Sequence, residues 1–342
     1  MNPLLPLLFW IAGATAAAQS WVPQESGTTA SLRGLSAVSP TVVWASGGKG
    51  TYLRTIDGGA TWRAATVPGA ADMDFRAIRA IDERTAFLMS AGEGAKSRIY
   101  KTSDGGERWA PLYTNPDPKG FLDAIAFSDA AHGIVLGDPV DGRFVILTTD
   151  DGGTSWQRQK TPSARPGEGA FAASGTCLMV RGAHEVWFGT GGTGGARVFH
   201  SQDGGKTWSV AAVPMRNDGA GAGIFSLAFA GVRTGIAVGG DYTKPAEAAR
   251  NIAITSDGGK TWIAPASTPP DGFRSAVEYV ADRKMWIATG TSGSDVSSDD
   301  GRNWKRFDSA AYNALSFLSS QAGWAVGPNG AIAKFSFSPR QP

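Results

Sequence analysis

The sequence holds one cysteine, Cys177, in 342 residues, so no disulfide can form within the chain and packing and hydrogen bonds must carry the fold. Its three histidines, His132, His184 and His200, stand at no metal-ligand spacing and have no Cys-x-x-Cys partner. Gly137-Asp-Pro-Val-Asp-Gly142 offers too few oxygens for calcium, so no metal site is expected. Charge of one sign is also missing: 32 basic residues balance 30 acidic ones along the whole chain, and nucleic acid is excluded as an expected partner. No apolar run is long enough to span a bilayer. The one apolar stretch, Leu4 to Ala12, is short and gives way to Ala16-Ala17-Ala18, the small-residue pattern of an export signal. Residues 1–18 are therefore read as a signal peptide and 19–342 as one domain, periplasmic or secreted. The glycine-rich Gly189–Gly195 lacks the Gly-Lys-Ser/Thr ending and the helix of a phosphate cradle, and no cofactor is expected.

What the chain has in quantity is glycine, 46 residues, without a Gly-X-Y period, which points to many tight turns between short strands. Much of it falls in one recurring string. Thr55-Ile-Asp57-Gly-Gly-Ala-Thr-Trp62 returns in variant form around Asp104, Asp151, Asp203, Asp257 and Asp299. Successive aspartates are 47, 47, 52, 54 and 42 residues apart, the period of one four-stranded propeller blade per repeat. In each string the aspartate accepts hydrogen bonds from turn N–H groups, glycine supplies the positive φ, and the preceding Ser or Thr adds a hydroxyl. The tryptophan that follows is expected to pack between blades. These six aspartates are thus read as structural.

Strands recur between the boxes. First strands begin at Leu32-Arg33, Phe75-Arg76, Phe121-Leu-Asp123, Ile224-Phe225, Phe273-Arg274 and Tyr312-Asn313. Second strands have seven members, from Val43-Trp44 to Gly323-Trp324, so the reading is an all-β, seven-bladed β-propeller with four-stranded blades. The seventh blade ends without a box, and Ser20-Trp21-Val22-Pro23 resembles the segments that leave the other boxes. That N-terminal strand is expected to complete the C-terminal blade and close the ring.

The unit seen most fully at Gly323-Trp-Ala-Val-Gly327 and Ser201–Trp208 resembles the photosystem II stability and assembly factor family of seven-bladed propellers. The same box occurs in bacterial neuraminidase repeats, sortilin-type receptors and some glycoside hydrolases. The resemblance covers residues 21–337 and implies a binding or assembly scaffold, not an enzyme, acting in a lumenal or periplasmic space on an assembly intermediate. Insertions at 162–174, 189–195 and 241–250 depart from a compact assembly factor.

Strand order puts the residues before each first strand and the loops after each second strand on one face, opposite the boxes. That face gathers Arg33, Arg76, Asp123, Arg274 and Asn313 around the channel mouth, with Lys49, Glu93, Asp138, Asp241 and Asp295 outside them. Three arginines there suit a carboxylate-bearing ligand or peptide held by paired hydrogen bonds. The expected partner is an envelope or membrane protein, or a carboxylate-bearing ligand, and the expected state is a monomer. The rival reading is a sialidase-like glycoside hydrolase, which would press Tyr312, Glu278 and the arginines into service as nucleophile, partner and substrate clamp. It lacks the Arg-Ile-Pro signature, and the ring counts seven blades against that family's six.

Overall fold

A computed structural model of the chain describes residues 18–338. The expected signal peptide lies outside the described residues except for Ala18. Seven antiparallel sheets follow one another along the chain. Their first strands, Leu32–Ala37, Phe75–Ala80, Leu122–Phe127, Leu178–Arg181, Ala222–Ala230, Ala276–Val280 and Ala314–Ser319, each lie against the next, and the last meets the first. They form the inner wall of a seven-bladed propeller.

The N-terminal strand closes the ring as its sequence implies. Ala18–Pro23 runs antiparallel to Ile332–Ser338, with Trp21 opposite Phe335. Trp21 is 5% exposed, sits among Phe307, Tyr312, Phe317 and Phe335, and donates Nε1–H to Ser294 Oγ of the sixth blade at 3.0 Å.

The box tryptophans pack backwards, each against the preceding blade. Trp62 meets residues of blades seven and one, Trp109 meets Trp44 and Tyr52, and Trp156 packs with Phe127 of its own blade in a cluster that includes Phe87 of blade two. Trp208, Trp262 and Trp304 fill the later junctions and donate Nε1–H to the second glycine carbonyl of their own boxes at 3.0–3.1 Å. A second set, Trp44, Trp187, Trp286 and Trp324, is fully buried on the second strands. Burying large aromatic rings at each junction supplies most of the driving force for blade-on-blade packing.

Two departures from four regular strands per blade bear on function. The fourth strand of the fifth blade shrinks to one bridge, Ile254↔Ile263, because Pro265 has no N–H to extend the ladder. The sheet of that blade gains two short strands instead, Glu168–Gly169 and Gly191–Gly192, drawn from the insertion before blade four and from the loop between that blade's second and third strands.

Candidate functional site

The box face is built from turns that consume their own carboxylates. Asp57 Oδ1 accepts Thr61 N–H at 2.9 Å and the Thr55 hydroxyl at 2.7 Å, and Oδ2 accepts the Thr61 hydroxyl at 2.6 Å. Thr55 Oγ1 in turn accepts Gly59 N–H at 2.9 Å. The same pattern recurs at Asp104, Asp151, Asp203, Asp257 and Asp299. These bonds favour the ionised form, and Asp57, Asp104, Asp151, Asp203 and Asp257 are held at about 2, with Asp299 also lowered. In the sixth box the first glycine position is taken by Asp300, at φ 57°.

On the opposite face the ring carries a feature that strand counting does not show. In blades one, two, three and five the first strand has a register shift near its start, and the residue passed over is Arg33, Arg76, Asp123 or Phe225. A bulge turns its extra residue out of the pleat. In blade six the pairing Ala276↔Thr289 to Val280↔Met285 runs without a shift. Arg274 lies before that pairing, and its N–H bonds to Gly239 O as the N–H of Leu32 does to Gly327 O, so it takes the inward place of Leu32 and not that of Arg33.

Arg274 is 0% exposed. Its guanidinium donates to Asp295 Oδ2 at 2.6 Å, Phe273 O, Ser292 Oγ and Asp271 O at 2.7 Å each, which leaves nothing for a ligand. The expectation that it joins Arg33 and Arg76 in an anion patch is corrected: it is the buried partner of Asp295. Asn313 is likewise structural, its Nδ2 donating to Leu32 O at 2.8 Å to bind the seventh blade to the first. Asp123, 1% exposed, does not reach the surface either. Burial and the neighbouring Asp138 push its carboxyl well above the ordinary range, and its Oδ2 has no hydrogen-bond partner among the described residues. Of the outer loop carboxylates, Asp138 accepts Ala170 N–H at 2.9 Å and Asp241 accepts Thr243 N–H at 2.9 Å.

Arg33 and Arg76 remain, and they are together. Arg76 donates Nε–H to Asp74 Oδ2 at 2.7 Å and edges a groove of about 590 Å³ lined also by Asp72, Glu93 and Lys96. Arg33 is half-buried, and its proton affinity is lowered by burial first and by Arg76 second, with Asp74 opposing. Among the described residues it makes no side-chain hydrogen bond or ion pair. Arg76 is thus paired with Asp74, while Arg33 feels that carboxylate's charge without bonding to it.

The insertion between blades three and four is the largest surprise on this face. It is anchored by the buried Glu168, which accepts Arg197 Nε–H at 2.8 Å and the Thr190 hydroxyl at 2.6 Å. The chain then crosses the mouth of the channel. Phe171 stacks on Phe225 at 3.9 Å, Ala172 O lies 3.4 Å from Arg76 Nη1, and Ser174 Oγ donates to Ser275 O of the sixth blade at 2.8 Å. Thr176 Oγ1 donates to Ser226 Oγ at 2.7 Å. Gly175, at φ +75°, passes blade two so closely that a Cβ would stand 3.2 Å from Ala77 Cβ. The channel is therefore closed at this end. The run of small residues Ala172-Ala173-Ser174-Gly175-Thr176 was the only sequence trace of this close passage.

The residues a sialidase-type reading needs are not assembled. Tyr312 lies in the core against Trp21, its hydroxyl raised to about 12 by burial and by Asp308, while Glu278 faces the channel and Arg274 is sealed. No group of three His, Cys, Asp or Glu side chains fit to hold a metal occurs among the described residues.

Fold and turns together define the class: the chain is a seven-bladed Asp-box β-propeller. The family model of the BNR/Asp-box repeat matches residues 199–210. No curated protein sequence matches the chain significantly. Among solved structures it is similar to YCF48 bound to a D1 peptide, with 17% identity, TM-score 0.64, and coverage of 92% of this chain and 96% of that one. It is also similar to YCF48 from Cyanidioschyzon merolae, with 18% identity, TM-score 0.63, and coverage of 95% and 100%. U3-55K follows at 12% identity and TM-score 0.63, covering 93% and 98%. At these identities the likeness is one of fold.

Proposed function

We propose that this protein is an exported binding scaffold that holds a segment of a partner protein on the face opposite the Asp boxes, with Arg33 and Arg76 gripping a carboxylate of that partner. The observation that carries the reading is Arg33: a half-buried guanidinium with no partner among the described residues, beside a second arginine and over a single carboxylate. Desolvating a cation is unfavourable unless an anion eventually faces it. A peptide carboxylate, from a side chain or a chain end, matches the paired donors of two guanidiniums. The YCF48 structure that holds a D1 peptide supports a peptide as a cargo this fold accommodates. The apolar stretch and Ala16-Ala17-Ala18 support export to the periplasm or beyond, and hence an envelope or membrane protein as the partner.

The test is affinity capture from the envelope fraction of the native host with the wild type and an Arg33→Ala/Arg76→Ala variant, followed by titration of the captured protein. Losing charge-assisted hydrogen bonds worth about 1.5–3 kcal/mol should weaken binding by roughly 10- to 100-fold. Equal binding by the variant would remove the arginine pair from the proposal, and absence of any captured protein would remove the scaffold reading.

A further inference from the structure

The closed channel holds two charged side chains that the scaffold reading does not use. Below the crossing segment lies a cavity of about 290 Å³, walled by the inner strands and roofed by Ser174, Gly175 and Thr176. Six of the seven inner strands line it, and they run from the crossing segment toward the box face. Arg79 of blade two and Glu278 of blade six face this space.

Neither residue is needed where it stands. At three blade junctions a serine accepts an N–H of the next inner strand: Ser36 from Ala80 at 3.1 Å, Ser226 from Val277 at 3.0 Å and Ser316 from Ala37 at 2.9 Å. Between blades six and seven Glu278 Oε2 does this for Phe317 N–H at 2.7 Å. A hydroxyl suffices for the bond, so the carboxyl brings a second oxygen into the cavity that the junction does not require. Arg79 pairs with Phe87 in the sheet register that Ser36 and Ser316 occupy opposite Trp44 and Trp324. It makes no side-chain hydrogen bond and no ion pair within 4.0 Å among the described residues, although Glu278 is the carboxyl nearest to it in electrostatic effect. The half-buried Leu35 and Met179 are among the apolar side chains of the lining.

We propose that this blind channel is a binding site for a small organic monocarboxylate, its head group held between the Arg79 guanidinium and the Glu278 carboxyl and its carbon chain against Leu35 and Met179. The cavity lies at the small end of ligand-binding pockets, which limits the guest to a few carbons. The guanidinium is always charged and pairs with carboxylates through two parallel bonds. Burial raises Glu278 to about 8, opposed by the Phe317 N–H and by Arg79, so near neutral pH it is a hydrogen-bond donor to the guest. The inner strands of blades five and seven, the second strand Met285–Gly290 and residues 170–176 carry no titratable side chain. Across the cavity only Arg79 faces Glu278, with Tyr279 beside it on its own strand, while Arg181 is held over Trp187. The site is on the other face from Arg33 and Arg76, and its failure would leave the scaffold reading intact.

Calorimetric titration with butyrate tests it. If only protonated Glu278 admits the anion, the apparent Kd should rise about 30-fold between roughly pH 6.5 and 9.5, following the protonated fraction. Glu278→Gln should bind with little pH dependence, and Arg79→Met should lose at least about tenfold in affinity. The wild-type pH dependence stands even if a variant fails to fold. Absence of saturable binding, an affinity equal at both pH values, or unchanged binding by a folded Arg79→Met would overturn the proposal. Tighter binding of the tripeptide Ala-Ala-Ala than of butyrate would overturn it in favour of a polypeptide terminus.

Discussion

Removing the indole of Trp21 tests how much of the ring's stability rests on its closure. Trp21 stands where the missing fourth strand of blade seven would place its tryptophan, in van der Waals contact with four aromatic rings and hydrogen-bonded to a buried serine of the neighbouring blade. Trp21→Ala leaves a cavity among Phe307, Tyr312, Phe317 and Phe335 that the paired strands cannot collapse to fill. Such truncations cost about 3–5 kcal/mol. With an unfolding entropy of about 2.1 cal/mol/K per residue over about 320 residues, a loss of about 4 kcal/mol lowers Tm by about 6 °C. Trp21→Phe keeps most ring contacts and loses the bond to Ser294, at about 1 kcal/mol and a fall of about 1–2 °C. Deleting residues 18–23 should lower Tm further and expose the Ile332–Ser338 edge to self-association, visible as light scattering. Circular dichroism melts of the three variants decide the matter. A Tm for Trp21→Ala within about 1 °C of the wild type would refute the assignment of closure to this strand.

Arg274→Ala should destabilise by about 3–5 kcal/mol in urea unfolding, because it strands the buried carboxylate of Asp295, whereas Arg33→Ala should stay within about 0.5–1 kcal/mol of the wild type. Equal losses would contradict the division into a structural and a ligand-facing arginine. Asp300→Gly should stabilise by roughly 0.5–1 kcal/mol by relieving a left-handed backbone that the other five boxes give to glycine, and a loss of stability would show that the side chain does something else. Glu278 has a folded pKa of about 8, above its ordinary carboxyl value, so its contribution is most favourable at low pH and declines as pH rises from the ordinary value through about 8. Glu278→Gln should remove that decline from a plot of Tm against pH, and a wild-type curve matching the variant's would contradict it.

The box strings made the fold legible because their chemistry is local. Asp57 bonds to Thr55 and Thr61 within its own turn, so the turn can be read from eight residues in a row, and six such turns at blade-length spacing leave few architectures open. Ring closure was legible for a similar reason, since Trp21 repeats the pattern of the strands that leave the other boxes and the seventh blade visibly lacks one. The face of the candidate site was likewise set by strand direction alone. Residue types at matching positions in the repeats did not say which side chains reach solvent. Arg274 looks equivalent to Arg33 and Arg76, yet its N–H bonds to Gly239 O as that of Leu32 does to Gly327 O, so it takes the inward place of Leu32, and register depends on pairing across the sheet. The crossing of the channel by Phe171–Thr176 and the placing of Arg79 and Glu278 on one cavity bring together residues from distant blades. The sequence by itself determined the turns, the blade count and the closing strand, because each is specified by near neighbours. Only the tertiary structure decided which arginines are free, where the channel ends and what faces its interior, because those follow from the curvature of the closed ring, which brings together residues far apart in the chain.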